Sequence, residues 1–100
     1  MKKVYKHFPV AGIAYYEALF AIEQIKVGDK LELKPEENIY DEHAIEIYYK
    51  ERKLGYIPKN RNYSISVILR QGWQIFEAYV QRVDREALSI DVALFVKEAK

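Results

Sequence analysis

The sequence predicts a mainly β (α+β) fold: a small β-barrel of five or six strands, closed or partly open. One clear helix falls near residues 61–71, and a short helix or aromatic-rich turn near 15–24. Three observations carry this prediction. Apolar and polar residues alternate over several short stretches. Turn-forming residues separate those stretches. Only one segment has a sustained helical stripe. Barrel closure is the economical solution because it removes exposed strand edges; an open α+β sheet is the alternative.

The elements follow in order. Val4 to Ile13 is rich in aromatic and β-branched residues and stops near Gly12, which predicts a first strand. Tyr15, Ala18, Leu19 and Ile22 then fall at helical spacing. Val27-Gly28-Asp29 is a turn. Lys30 to Lys34 alternates, with Leu31 and Leu33 inward, and Pro35 ends it. Pro35 to His43 is a polar loop in which only Ile39 and Tyr40 could serve as anchors; a loop this long has a task or is mobile. Ala44 to Tyr49 alternates again, with Ile45, Ile47 and Tyr49 on one face. Glu51-Arg52-Lys53 is a charged hairpin tip, and Leu54 to Pro58 returns as a short strand. The helix over Arg61–Gln71 is capped by Asn60 or Asn62, carries Ile65, Ile68 and Leu69, and stops before Gly72. Gln74 to Arg82 and Leu88 to Val96 form a closing hairpin around Asp84-Arg85-Glu86.

Composition bounds the function. A chain of 100 residues predicts one domain over residues 1–100. Half the residues are hydrophobic and 31% are charged, a globular balance. A net charge of +1 excludes a protein that coats duplex DNA through its overall charge, so any nucleic-acid binding must be local. The lack of cysteine excludes thiolate zinc sites, disulfides and cysteine nucleophiles. No signal-peptide pattern and no run near the ~18 apolar residues of a membrane span is visible, which predicts a cytoplasmic protein with no membrane partner.

No catalytic constellation emerges. His7 and His43 have no recognisable nucleophile partner, and Ser64, Ser66 and Ser89 lack a glycine elbow. The four glycines form no phosphate-cradling loop. Glu36, Glu37, Asp41, Glu42 and His43 offer hard ligands, but their spacing matches no calcium or zinc signature. The expectation is a non-enzyme without metal or cofactor. Two features point to binding. Tyr15-Tyr16 cannot both face one core, because adjacent residues diverge on a strand or a helix. Packing alone would bury one ring and lay the other on the surface; an exposed ring could stack on a nucleobase. Asn38-Ile39-Tyr40-Asp41 fits ordinary turn chemistry, in which Asn and Asp bond their own backbone, and equally a recognition loop.

Three blocks together resemble the HIRAN domain family. They are Phe8-Pro9-Val10-Ala11-Gly12-Ile13-Ala14-Tyr15-Tyr16, the stretch from Leu31 to Ile45 containing Asn38, Tyr40, Asp41, Ala44 and Ile45, and Leu54-Gly55-Tyr56-Ile57-Pro58-Lys59. They occur in the family's order at compatible spacings. The resemblance implies a barrel related to the oligonucleotide-binding fold. It also implies a place in DNA repair, since the eukaryotic domain sits on fork-remodelling translocases and holds a free single-stranded 3′ end. Carried over, Tyr15 and Tyr16 would stack on the terminal bases. Asp41 would accept a hydrogen bond from the 3′-hydroxyl with Asn38 beside it, and Lys59, Tyr56 and Arg61 would hold backbone phosphates. Ala14 stands where the end-binding member has a basic residue, and Glu36, Glu37 and Glu42 add negative charge; both lower the affinity expected. Two other classes compete: a protein-interaction module using an edge strand or the tyrosine-rich surface, and a metal-dependent nuclease or hydrolase, which would need at least two converging carboxylates.

Overall fold

The computed structural model describes residues 3–97. Its strands are β1 (Lys3–Pro9), β2 (Lys30–Pro35), β3 (Ile45–Tyr49), β4 (Arg52–Tyr56), β5 (Phe76–Asp84) and β6 (Ser89–Val96). Its α-helices are α1 (Ala18–Ala21) and α2 (Tyr63–Arg70), and short 3₁₀ turns occupy Ile13–Tyr15 and Lys59–Arg61. The six strands form one antiparallel curled sheet in the order β1-β6-β5-β2-β3-β4. This is the half-barrel that the alternating patterns predict.

Period-two burial builds the core. Ile45, Ile47 and Tyr49 of β3 are buried, as are Ala78 and Val80 of β5 and Ile90, Val92 and Leu94 of β6. Leu31, Leu54, Ile57 and Ile65 join them, together with Phe8, Val10, Ile22 and Ile25. Fully burying an aliphatic side chain of this size contributes about 1.5–3 kcal/mol, so these residues hold the curl.

The sheet's two outer strands meet at one bridge. Ala11, just past β1, donates its amide to the Tyr56 carbonyl at 2.8 Å, and Tyr56 returns the bond at 2.9 Å. Gly55 makes this approach possible. A β-carbon there would collide with the Ala11 carbonyl oxygen and lie 2.8 Å from Val10 Cγ1.

Several sequence expectations need correction. The first strand ends at Pro9 rather than Ile13, because Gly12 adopts a left-handed conformation (φ 69°) and turns the chain into the 3₁₀ segment. The region near 15–24 is split between that turn and the four-residue α1. Its inward residues are Ala18, Ala21 and Ile22, while Tyr15 and Leu19 face out. The β3–β4 turn is Lys50-Glu51, so Arg52 and Lys53 belong to β4. A register shift after Ile47 pairs Tyr48 with Lys53 and Ile47 with Gly55. The main helix begins at Tyr63, and Asn62 stands at its cap position, its carbonyl accepting from the Ser66 amide while its side chain bonds no helix amide. The last hairpin turns after Asp84, with Leu88 at φ 50°.

Candidate functional site

The site is built where the Gly12 turn, the Pro35–Ala44 loop and β4 converge. Tyr16 follows the 3₁₀ segment and packs edge-on against Tyr56 of β4, with ring centroids 5.6 Å apart. Tyr15 also borders the Gly12 turn but is 85% exposed. The pair divides into a packed, half-buried ring at Tyr16 and an exposed ring at Tyr15.

Lys53 lies beneath both inner rings. Its Nζ is 4.3 Å from the Tyr16 ring centroid and 4.4 Å from that of Tyr56. It donates to the Tyr56 hydroxyl at 2.8 Å and pairs with Glu46 at 3.1 Å and Glu36 at 3.5 Å. Tyr56 in turn donates to Glu36, with Oε1 at 2.7 Å, and Asn38 Nδ2 donates to the same carboxylate at 3.1 Å. One ammonium and one carboxylate thus tie β4, the tyrosine turn and the loop together.

The electrostatics follow from these contacts. Burial pushes the Glu36 carboxyl up, but the bonds from Tyr56, Asn38 and Lys53 outweigh it and leave its pKa below the usual value. Burial alone would lower Lys53, yet the hydrogen bonds to Tyr56 and Glu46 and the two carboxylate charges raise it. Tyr56 is pushed up to about 12, first by burial, with Lys53 opposing and Glu36 reinforcing. At neutral pH the network therefore holds a carboxylate at Glu36, an ammonium at Lys53 and a phenol at Tyr56.

The loop is anchored by polar contacts. Ile39 and Tyr40, the expected anchors, are 92% and 82% exposed. The Asn38 side chain accepts from the Tyr40 amide at 2.8 Å, and Asp41 Oδ1 accepts from the His43 amide at 2.9 Å. Asp41 Oδ2 accepts from the buried Asn62 at 2.9 Å, which explains why the Asn62 side chain does not cap α2. His43 reaches the buried Ser66, and Arg70 donates to the carbonyls of Glu36 and Ala44. A carboxylate offers about four acceptor positions, so Asp41 keeps room for a further donor.

The predicted cations separate. Lys59 Nζ donates to the Tyr40 carbonyl at 3.0 Å, beside the loop. Arg61 instead donates to the His7 carbonyl of β1 at 2.6 Å. The loop's carboxylates also disperse: Glu36 to Tyr56 and Lys53, Asp41 to Asn62, Glu37 towards Arg70, and Glu42 towards His43. Among the described residues no group of three or more acidic or histidine side chains could hold a metal ion. Sequence reasoning missed Lys53 and Glu46 as site residues and read Glu36 only as a candidate ligand or added negative charge. Glu46, Tyr48 and Tyr56 do alternate outward in β3 and β4, but the bulge that brings Lys53 onto that face leaves no sequence signal.

Fold and site together define a small, partly closed β-barrel whose outer face gathers tyrosines, a lysine and an acidic loop, the architecture of an oligonucleotide-binding-like module. The chain belongs to the HIRAN domain family, whose model matches residues 5–98; this is a family of nucleic-acid-binding domains. A crystal structure of a Lactobacillus plantarum protein is similar to it, with a TM-score of 0.85 and 24% identity over 96% of this chain and 95% of that one. The HIRAN domain of human HLTF is similar at a TM-score of 0.69 and 16% identity, over 97% of this chain and 81% of that one. At these identities the likeness is one of fold. No curated protein matches the chain. Among the described residues no helix is long and apolar enough to cross a membrane.

Proposed function

We propose that this domain binds single-stranded DNA at a free 3′ end and is non-catalytic. The observation that carries this reading is the path of contacts from the Asp41 loop to Tyr16. Asp41 sits in a loop fixed by Asn62, and the same loop is bonded through Asn38 and Glu36 to Tyr56, against which Tyr16 packs. A base stacked on Tyr15 or Tyr16 and a terminal hydroxyl at Asp41 are then recognised by one connected unit. A free end presents a hydroxyl donor, whereas an internal nucleotide or a blocked end presents an anionic phosphate, which the carboxylate repels. Lys59 supplies a backbone contact beside the loop. With so few cations at the site, the salt dependence of binding is shallow.

The test is a fluorescence-anisotropy titration of a short labelled strand at low salt, with its 3′ end as hydroxyl or as phosphate. The hydroxyl strand binds tighter. Tyr15→Ala weakens it without unfolding the domain, since that side chain is 85% exposed; one base–aromatic stack is worth about 1–3 kcal/mol. Equal affinity for both strands overturns the end-recognition reading.

A further inference from the structure

The surface beyond the tyrosine pair holds a second aromatic step. α1 begins at Ala18, and its exposed side carries Leu19 and Phe20, which are 67% and 68% exposed. Exposed apolar residues scattered singly need no explanation. Here two large ones stand within five residues of the exposed Tyr15, on a segment pinned in place: the Glu17 amide donates to the Lys53 carbonyl at 2.9 Å, and the Lys53 amide donates to Glu17 Oε1 at 3.3 Å.

Phe20 borders a cleft of about 440 Å³ between α1 and the β3–β4 turn, which also presents Gln24, Tyr49, Lys50 and Arg52. That volume lies within the range of small-ligand sites. The Arg52 guanidinium stands 5.6 Å from the Phe20 ring centroid. Successive residues of β4 therefore place a cation on successive aromatics: Lys53 on Tyr16 and Arg52 on Phe20. The two steps differ in freedom. Lys53 is enclosed by two carboxylates, whereas Arg52 has one exposed ion pair, to Glu17 at 3.5 Å, with both side chains about half exposed. Such a pair is worth little and exchanges readily for another anion. Glu51 at the turn sets a negative charge beside this cleft, offset by Lys50.

We infer that this cleft is a second nucleotide subsite, in which Phe20 stacks on a base and Arg52, with Lys50, holds the adjoining phosphate. It rests on the 3′-end reading and extends it: the terminal nucleotide is read at Asp41, and the strand continues past Tyr15 and Tyr16 onto α1. Arginine suits this place because its flat guanidinium both stacks on an aromatic face and binds a phosphate in a bidentate manner. Gln24 offers an amide to a base edge.

The experiment compares a 3′-hydroxyl dinucleotide with an oligothymidylate of about six residues, within the site sizes of single barrels, on wild type, Phe20→Ala and Arg52→Gln. Both side chains are solvent-exposed, so circular dichroism should show all three proteins folded. Wild type binds the longer strand tighter. Phe20→Ala weakens the longer strand by about 5- to 150-fold, the range of one lost stack, and leaves the dinucleotide unchanged. Arg52→Gln makes the slope of log affinity on log salt shallower by about 0.7, one single-strand phosphate, for the longer strand only. Unchanged affinity in both variants, or an equal loss on both strands, overturns the subsite while leaving the 3′-end reading standing. Failure of wild type to bind either strand overturns both.

Discussion

Replacing Lys53 with methionine removes the ammonium that joins the tyrosine turn, the loop and two strands. The magnitude can be worked from its contacts. Lys53 donates to Tyr56 at 2.8 Å and pairs with Glu46 at 3.1 Å and Glu36 at 3.5 Å, with its side chain 18% exposed. Hydrogen bonds to charged groups contribute about 1.5–3 kcal/mol, and stranding one partner of a buried ion pair costs about 3–5 kcal/mol. The stranded carboxylates are 16% and 25% exposed, so water screens part of that cost. Methionine also preserves the apolar stem against the two rings. The expected loss is about 2–3 kcal/mol, or roughly 10–20 °C in Tm for a domain of this size. The pH dependence has a definite sign. The depressed Glu36 pKa contributes stability that is present above its ordinary value of 4.5 and is lost as pH falls through the folded value. Without Lys53 part of that contribution vanishes, so the gap between wild type and Lys53→Met is widest at neutral pH and narrows below about pH 4.5. Urea unfolding at neutral and acid pH measures it. A loss below about 0.5 kcal/mol at neutral pH, the ordinary range for surface substitutions, or a gap that does not narrow in acid, refutes the reasoning.

Other consequences are equally direct. Gly55→Ala drives a methyl into the Ala11 carbonyl and Val10, opens the seam and destabilises by about 1–3 kcal/mol, as overpacking does; denaturant titration checks it. Tyr56→Phe removes a phenol that titrates at about 12 from the alkaline difference spectrum. The raised Tyr56 pKa contributes stability below its ordinary 10.0 that is lost as pH rises through the folded value, so the variant loses less stability across that window. Asn62→Ala takes one donor from Asp41 and leaves a void where a residue 3% exposed had been. It lowers stability by about 1–3 kcal/mol and speeds amide exchange at His43, whose N–H is held by the same carboxylate.

The parts legible in the sequence are those written in a local period. Ile45-Glu46-Ile47-Tyr48-Tyr49 and Ile90 to Val96 announce their buried faces because side chains alternate along a strand, and β3 and β6 bury those faces. Asn38 and Asp41 were legible as turn chemistry, and their backbone bonds are present. What escaped depends on contacts distant in sequence. Ile39 and Tyr40 look like anchors only until Asn62, Ser66 and Arg70 hold the loop by polar bonds from another element. Lys53 looks like a hairpin tip until the two-residue turn at Lys50-Glu51 places it in β4, where the register shift after Ile47 sets it on one face with Tyr56. Arg61 follows Lys59 by two residues, yet the 3₁₀ turn sends it to β1. Helical spacing placed Leu19 inside, but a four-residue helix has room for only one buried side, and Ala18 and Ala21 fill it.

The most direct test of the central claim is a map of amide chemical shifts as a short 3′-hydroxyl single strand is titrated into the isotope-labelled chain, repeated with a 3′-phosphate strand. The expected shifts gather at Tyr15, Tyr16, Asn38, Asp41 and Lys59, and those at Asn38 and Asp41 are lost with the blocked end. Shifts confined to β1, β5 and β6, or identical maps for the two strands, would contradict 3′-end recognition at this site.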